Sequence, residues 1–377
     1  MADQDKIGYV NGLRGIAILM VLYHHLIQPH YTPIPLEKTS SFYFFAIQPF
    51  QFSGWLGVNI FFVLSGFVLF LPFARSANLQ IDSVRFLKKR AVRLLPLYYL
   101  NVLVCLVAFV GEPIARFLIH SIAYVLVLFP SPELFFPPMN PPLWSLGIEI
   151  WFSILFPAIL ILMRYLGIAN ASALLIILSL AVNVYGSVEF QVNGKYLNSV
   201  SDTLPGRLSD FCIGMLAAHF WIHVTDDNHA LALKRRILLP SGVLMIYLSF
   251  VLSVGRVTGD FPAISQTFAN LFLSLGIALL ILALRAQKTN STLRSFLEIR
   301  GLQVLGMMCF SVYIWHWQII HVFNHIWGSQ NWIFTPILML YFLALLLVSG
   351  ITYRFVEFRR KGVRDIFLLQ PKQFQKR

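Results

Sequence analysis

The chain has 377 residues, of which 58% are hydrophobic and only 12% are charged. Soluble globular domains carry about 25% charged residues, so this composition excludes an ordinary soluble enzyme or binding protein. The net charge of +13 would suggest nucleic acid as the partner of a soluble protein. In a membrane protein, an excess of Lys and Arg in cytoplasmic loops is the rule. We therefore expect the lipid bilayer, and no nucleic acid, as a partner.

Apolar segments of about 20 residues, the length that a helix needs to cross a bilayer, follow one another along the whole sequence. They predict an all-α fold, a polytopic membrane bundle of about ten transmembrane helices. The predicted spans are residues 10–28, 52–72, 94–111, 143–163, 168–187, 205–224, 237–255, 265–284, 302–325 and 332–353. The three cysteines all fall in apolar segments, and there is no HExxH or CxxC motif, so neither a disulfide nor a metal site is expected.

The distribution of Lys and Arg orients the predicted bundle. With ten spans and a cytoplasmic N-terminus, 24 of the 29 basic residues lie on the cytoplasmic side, as the positive-inside rule requires. An eleventh span at 116–129 would reverse every later segment, so we expect an interfacial or re-entrant helix there. Both termini are then cytoplasmic. One transmembrane domain is predicted over residues 1–360, in the cell membrane, with a short basic tail at 361–377.

The first span contains two polar residues that need a functional explanation. A charged side chain near the middle of a membrane helix costs about 2.5–3.5 kcal/mol even on lenient insertion scales. Arg14 and His25 are eleven residues apart, which returns to within about 20° of the same helix face and rises about 16 Å. One face therefore carries a permanent cation on the cytoplasmic side and a titratable base further towards the outer side.

Two more titratable residues lie inside predicted spans. Glu149 is about two turns from the outer end of the fourth span, and Ser145, on the same face, is expected to hydrogen-bond its carboxylate. His316 lies in the ninth span at the depth of His25, with Tyr313 on the same face. Each has a structural alternative. Glu149 can simply be the partner of a cation, and a histidine among aromatic residues can be a hydrogen-bonded packing residue.

Two further polar residues interrupt otherwise apolar segments. Asn59 lies in the second span and Asp210 near the outer end of the sixth. A buried amide must find a partner, which fits a polar site, and Arg207, three residues before Asp210, is placed to pair with that carboxylate. Gly57 and Gly66 in the second span predict close packing between helices.

The segment RFLKKRAVRLLP, before the third span, carries five basic residues. Topology and contact with anionic lipids account for most of them. Arg90 and Arg93 differ because they lie one turn apart at the entrance of the span. Such a pair suits a phosphate-bearing ligand that arrives from the cytoplasm.

Seven motifs, in order, make the chain similar to the acyltransferase-3 family of integral membrane O-acyltransferases. They are Arg14-Gly15 with His25 eleven positions on, GVNIFFVLSGF, KRAVRLLP, WSLGIE, RLSDFCIGM, LGMMCFSVYIWH and TYRFVE. The resemblance implies an enzyme that moves an acyl group, often acetyl, from cytoplasmic acyl-CoA to a hydroxyl. The acceptor is usually a cell-surface polysaccharide or another glycan. Acyl-CoA is then a co-substrate, and no cofactor stays bound.

By position, the resemblance matches His25 to the family's essential histidine, Arg14 to its arginine, and Arg90 with Arg93 to its basic pair. We expect Arg90 and Arg93 to hold the phosphates of CoA, with Arg14 further along the path. His25 is then the general base on the acceptor hydroxyl. Asn59 stands where many relatives have Asp.

The remaining candidates surround this base. Glu149 is expected to orient His25 or the acceptor, and Tyr313 or His316 to stabilise the oxyanion. The predicted catalytic residues are therefore His25, Glu149 and His316. The predicted substrate-binding residues are Arg14, Arg90, Arg93, Tyr313, Asn59 and Asp210.

Several alternatives stay open at this point. The acceptor can be a small molecule or a lipid-linked glycan, and a covalent acyl-histidine relay can replace direct transfer. A transporter of glycans or lipids would use the same buried polar residues as a substrate path. Its typical signs, inverted repeats and paired helices broken by Gly or Pro, are absent from the sequence.

Overall fold

A computed structural model of the chain describes residues 7–75, 79–108, 114–127, 140–189, 200–223, 228–286, 291–328 and 331–357. The α-helices in these ranges are α1 Gly8–Leu26, α2 Gln48–Phe52, α3 Gly57–Ala74, α4 Ser83–Ala108, α5 Ile114–Val125, α6 Leu143–Leu166, α7 Ile168–Glu189, α8 Leu204–His223, α9 Asn228–Thr258, α10 Ser265–Arg285, α11 Thr292–Leu297, α12 Arg300–Met307, α13 Cys309–Trp327 and α14 Ile337–Thr352. A π-helical turn, Tyr353–Glu357, extends α14. The predicted tail at 361–377 lies outside the described residues.

Eight helical segments of the described residues are long and apolar enough to cross a membrane, which confirms the predicted all-α polytopic bundle. They are Gly8–His30, Gly54–Ala74, Ser83–Val107, Leu143–Leu166, Ile168–Val188, Arg236–Thr258, Ser265–Arg285 and Ile337–Glu357. The other two predicted spans are helical as well. α8 carries Arg207 and Asp210 in its first two turns, and the predicted span 302–325 is interrupted at Met308, between α12 and α13.

The short helix α5 is too short to be an eleventh span. It has 12 residues, about 18 Å at 1.5 Å per residue, whereas the hydrocarbon layer is about 30 Å thick. Its C-terminal end is tied to α4, because the hydroxyl of Tyr98 donates to the Tyr124 carbonyl oxygen at 2.6 Å and that of Tyr99 to the Val125 carbonyl oxygen at 3.1 Å. α5 therefore packs alongside the spans without adding one.

The first helix packs against α3, α11, α12 and α13. The close packing predicted from the glycines of the second span is confirmed. A Cβ on Gly57 would meet the Ala17 carbonyl oxygen of α1 at 2.5 Å, and one on Gly66 would overlap the Phe211 carbonyl oxygen of α8. α3 is thus held between α1 and α8 by backbone-to-backbone contact.

Gly66→Ala is expected to lower the free energy of unfolding by about 1–3 kcal/mol, the usual cost of forcing extra atoms into a packed core. Thermal unfolding in detergent micelles measures the change. Gly350→Ala is the matched control, since its Cβ would meet only the Met308 Cε at 3.8 Å and Ala favours a helix over Gly. Equal losses in the two variants would contradict a steric origin.

Candidate active site

Two histidines meet where the last turn of α1 lies against α13. His25 Nδ1 is 3.2 Å from His316 Nε2, and the ring centroids are 5.0 Å apart. His316 is fully buried, and His25 is partly buried. Two residues for which the sequence predicts the same depth are therefore in direct contact.

The surrounding hydrogen bonds assign the tautomer of each ring. His316 Nδ1 is 2.5 Å from the Tyr313 carbonyl oxygen; a carbonyl only accepts, so this nitrogen carries the proton and His316 Nε2 is an acceptor. His25 Nδ1 faces that acceptor and, at 3.1 Å, the Val21 carbonyl oxygen. The proton of His25 is therefore on Nδ1. Its Nε2 lone pair stays unprotonated, which is the state that a general base requires.

Two further rings pack edge to face against His25. The centroid of the His24 ring is 4.8 Å away, and that of Trp317 is 5.1 Å away. His24 is itself held by Gln28, whose Oε1 is 3.0 Å from His24 Nδ1. In the part of the chain that the structure describes, no group of three or more His, Cys, Asp or Glu is placed to hold a metal ion. Ring packing and hydrogen bonds position His25.

A cavity of about 70 Å³ lies on the Arg14 side of the histidine pair. Its polar lining consists of Arg14, Ser65, Arg93, Ser145, Glu149, Cys309 and Tyr313. These residues come from α1, α3, α4, α6 and α13, so the cavity exists only in the assembled bundle. Tyr313 connects it to the histidines, because its ring centroid is 5.4 Å from that of His316. The volume accommodates a few water molecules or a narrow chain.

The prediction that Ser145 bonds the carboxylate of Glu149 is wrong. Ser145 Oγ lies 2.6 Å from the hydroxyl of Tyr313 instead, and that hydroxyl donates to the Pro142 carbonyl oxygen at 2.8 Å. A shared helix face allows a contact, but a partner on another helix takes it here. These bonds tie α13 to the start of α6 and occupy the phenolic proton.

Glu149 pairs with Arg90. The distance from Arg90 Nη2 to Glu149 Oε1 is 2.9 Å, and the two side chains are only 12% and 24% exposed. Ser65 Oγ donates to the same carboxylate oxygen at 3.3 Å, and Arg90 Nε donates to Ser153 Oγ at 3.1 Å. The structure therefore places Glu149 as the partner of a cation on the cavity wall, with no described contact to His25.

A second carboxylate, Glu357, lies near the cavity and is not among the site residues predicted from the sequence. Its side chain is fully buried, and its Oε1 is 4.0 Å from the Nε of Arg93, a residue whose side chain is 44% exposed. Glu357 Oε2 accepts from Ser311 Oγ at 3.1 Å. A lone acid in the apolar final segment, within the motif TYRFVE, was the signal available for finding it.

Asn59 and Asp210 belong to a separate polar cluster between α3, α8 and α10. Asn59 Nδ2 donates to Asn270 Oδ1 at 3.1 Å, and Ser274 Oγ donates to Asp210 Oδ1 at 2.7 Å. The predicted pairing of Arg207 with Asp210 is confirmed, at 3.7 Å. No described contact joins this cluster to His25, so the structure does not bring these two substrate-binding candidates to the histidine pair.

The Arg90–Glu149 pair should be energetically coupled. Arg90→Gln and Glu149→Gln each leave a poorly hydrated charge without its partner, so the double variant should be more stable than the sum of the single losses by about 0.5–3 kcal/mol. Thermal unfolding of the four proteins in micelles gives this coupling energy.

The control cycle uses Arg294 and Glu298, whose Nε and Oε1 are 3.0 Å apart. These two are neighbours in one short helical segment, with side chains 23% and 30% exposed. Its coupling should be about 0.3–0.5 kcal/mol. A larger coupling energy in the control cycle than in the Arg90–Glu149 cycle would contradict a strong ion pair between Arg90 and Glu149.

The chain is similar to known acyltransferases over most of its length. The family model of the acyltransferase domain matches residues 7–354. YrhL of Bacillus subtilis (strain 168) is 27% identical over 94% of this chain and 55% of its own length. The O-acetyltransferase OatA of Staphylococcus aureus (strain MRSA252) is 26% identical over 97% of this chain and 59% of its own length.

The peptidoglycan O-acetyltransferase OatA of Listeria monocytogenes is 25% identical over 95% of this chain and 56% of its own length. The chain therefore spans just over half the length of these curated relatives. No solved structure matches it at a significant level.

Proposed function

Because the chain belongs to the acyltransferase domain family, we propose that it transfers an acyl group from acyl-CoA to a hydroxyl of a cell-surface carbohydrate. The proposed acyl group is acetyl. The observation that carries the proposal is the His25–His316 hydrogen bond, which leaves an unprotonated imidazole nitrogen close to a polar cavity inside a membrane bundle. Two relatives are named as an O-acetyltransferase and a peptidoglycan O-acetyltransferase. These names support acetyl as the transferred group and a glycan as the acceptor.

The proposed reaction is a direct transfer with His25 as general base. His25 Nε2 takes the proton of the acceptor hydroxyl while the hydroxyl oxygen bonds to the carbonyl carbon of the thioester, whose carbonyl oxygen becomes an oxyanion. When the oxyanion collapses, the carbon–sulfur bond breaks and the CoA thiolate takes the proton back from His25 Nε2. The products are an ester and the free thiol of CoA.

His316 acts in this scheme through His25. Its Nε2 accepts the hydrogen bond of His25 Nδ1, which keeps the reactive lone pair on the other nitrogen of His25. The same hydrogen bond strengthens when His25 becomes a cation, because a charged donor makes a stronger bond. His316 is therefore a positioning residue whose own proton stays on Nδ1, where it is donated to the Tyr313 carbonyl oxygen.

The donor side of the proposal rests on the cations of the cavity. Arg93 lines the cavity and is also the more exposed member of the basic pair, so it suits the phosphates of CoA at the entrance. Arg14 lines the same cavity on α1, about 16 Å of helix rise before His25. An extended thioester arm would follow this path. Arg90, engaged with Glu149, holds the wall beside it.

His25→Ala is expected to lower the turnover number for acetyl transfer by about 10²–10⁴-fold, the usual contribution of a general base. Membranes that contain the protein are incubated with radiolabelled acetyl-CoA and isolated peptidoglycan, and ester-linked label on the glycan is counted. His223→Ala is the control, because His223 is an exposed histidine at the far end of α8. Full transfer by the His25 variant would refute the assignment.

Arg93→Gln is expected to raise KM for acetyl-CoA about tenfold, as the loss of one charge-assisted contact to phosphate would do, with a smaller change in kcat. Initial rates over a range of acetyl-CoA concentrations measure both constants. Lys89→Gln, an exposed change on the same helix, should leave KM near the wild-type value. If the two variants raised KM equally, general surface charge and not a contact at the cavity would be responsible.

A further inference from the structure

One buried donor beside His25 has no function in the reaction described above. The indole nitrogen of Trp317, Nε1, is buried and has no hydrogen-bond partner within the described ranges. Leaving a buried N–H unpaired costs about 1–3 kcal/mol, and native structures keep few such groups. A ligand that completes the hydrogen bond would explain why this one is retained.

The position of Trp317 relates it to the proposed reaction. Its ring packs edge to face against His25, with the centroids 5.1 Å apart. It follows His316 directly in α13 and comes four residues after Tyr313, so it lies one turn further along nearly the same face of that helix. Tyr313 lines the cavity. Trp317 therefore lies between the cavity-lining part of α13 and His25, the proposed general base.

The donors that the sequence suggested for the oxyanion are already engaged. The hydroxyl of Tyr313 donates to the Pro142 carbonyl oxygen at 2.8 Å. In its neutral form His316 has a single ring proton, on Nδ1, and that proton is donated to the Tyr313 carbonyl oxygen. Acyl transfer nevertheless depends on a hydrogen-bond donor at the oxygen that develops charge.

We propose that the indole N–H of Trp317 donates a hydrogen bond to the oxyanion of the tetrahedral intermediate. The inference rests on the proposed function. As the acceptor oxygen bonds to the thioester carbon, negative charge grows on the former carbonyl oxygen, and the unpaired N–H of Trp317 stabilises that charge. The charge leaves with the thiolate on collapse. Trp317 keeps its proton throughout, so the proton balance between the hydroxyl, His25 and the thiolate is unchanged.

Trp317→Phe tests the proposal, because it keeps an aromatic ring against His25 and removes the donor together with one ring of the indole; a second tryptophan variant controls for the lost ring. We expect kcat for acetyl transfer to fall about 10²–10³-fold, the effect of deleting one oxyanion donor, with KM for acetyl-CoA and for the glycan close to wild type. The thermal midpoint in micelles should fall less than in the control variant below, since removal of a buried unpaired N–H offsets part of the lost ring packing.

Trp315→Phe is the matched control. Trp315 is two residues earlier in the same helix and is buried, but its Nε1 already donates to Thr352 Oγ1 at 3.2 Å. This variant should therefore keep its kcat and lower the midpoint. A purely structural role for both tryptophans would not produce this crossed pattern. Trp317→His, which restores a ring N–H, should recover part of the lost kcat.

Three results would overturn the proposal: an unchanged kcat in Trp317→Phe, a raised KM for the glycan at unchanged kcat, or a loss of kcat that merely follows a lowered midpoint. An active, His25-dependent enzyme that tolerates Trp317→Phe would overturn this inference alone. A wild-type protein that transfers no acetyl group would overturn both this inference and the proposed function.

Discussion

The hydrogen bond between His25 and His316 is the interaction on which the proposed site depends. It joins the first helix of the bundle to α13 and assigns the proton positions of both rings. In hydrocarbon, a polar group without a partner costs several kcal/mol, so each imidazole stabilises the other at this depth. In this arrangement Nδ1 of His25 is engaged in hydrogen bonds, and Nε2 is the ring nitrogen that keeps a lone pair. The pairing that stabilises the two rings thus also leaves His25 Nε2 without a proton.

The charged residues around the cavity follow the same constraint. Arg90 and Glu149 neutralise each other across α4 and α6, and Glu357 lies near Arg93 at the end of the last helix. These contacts hold the N-terminal half of α4 in place by charge as well as by apolar packing. Arg93 differs from Arg90 in its exposure and its looser contact, 4.0 Å against 2.9 Å, so it is the member of the pair that a ligand can recruit at lower cost.

The sequence predicted those features that belong to one segment at a time. The length of the apolar segments predicted the position of nearly every span. The small size of Gly57 and Gly66 predicted close packing, and the spacing of Arg207 and Asp210 within one helix predicted their pairing. Predictions that depended on a partner in another helix were less accurate. Ser145 bonds Tyr313 rather than Glu149, and the continuous span 302–325 is broken at Met308.

By itself, the sequence determined that the chain is a polytopic helical membrane protein with a costly arginine and histidine on one face of its first helix, because apolar length and the cost of buried charge are properties of a single segment. Only the tertiary structure decided that His316 is the partner of His25 and that Arg90 is the partner of Glu149. It also decided that the Trp317 N–H, beside His25, has no hydrogen-bond partner among the described residues. Those outcomes depend on the rotation and depth of each helix. Packing against distant neighbours sets both.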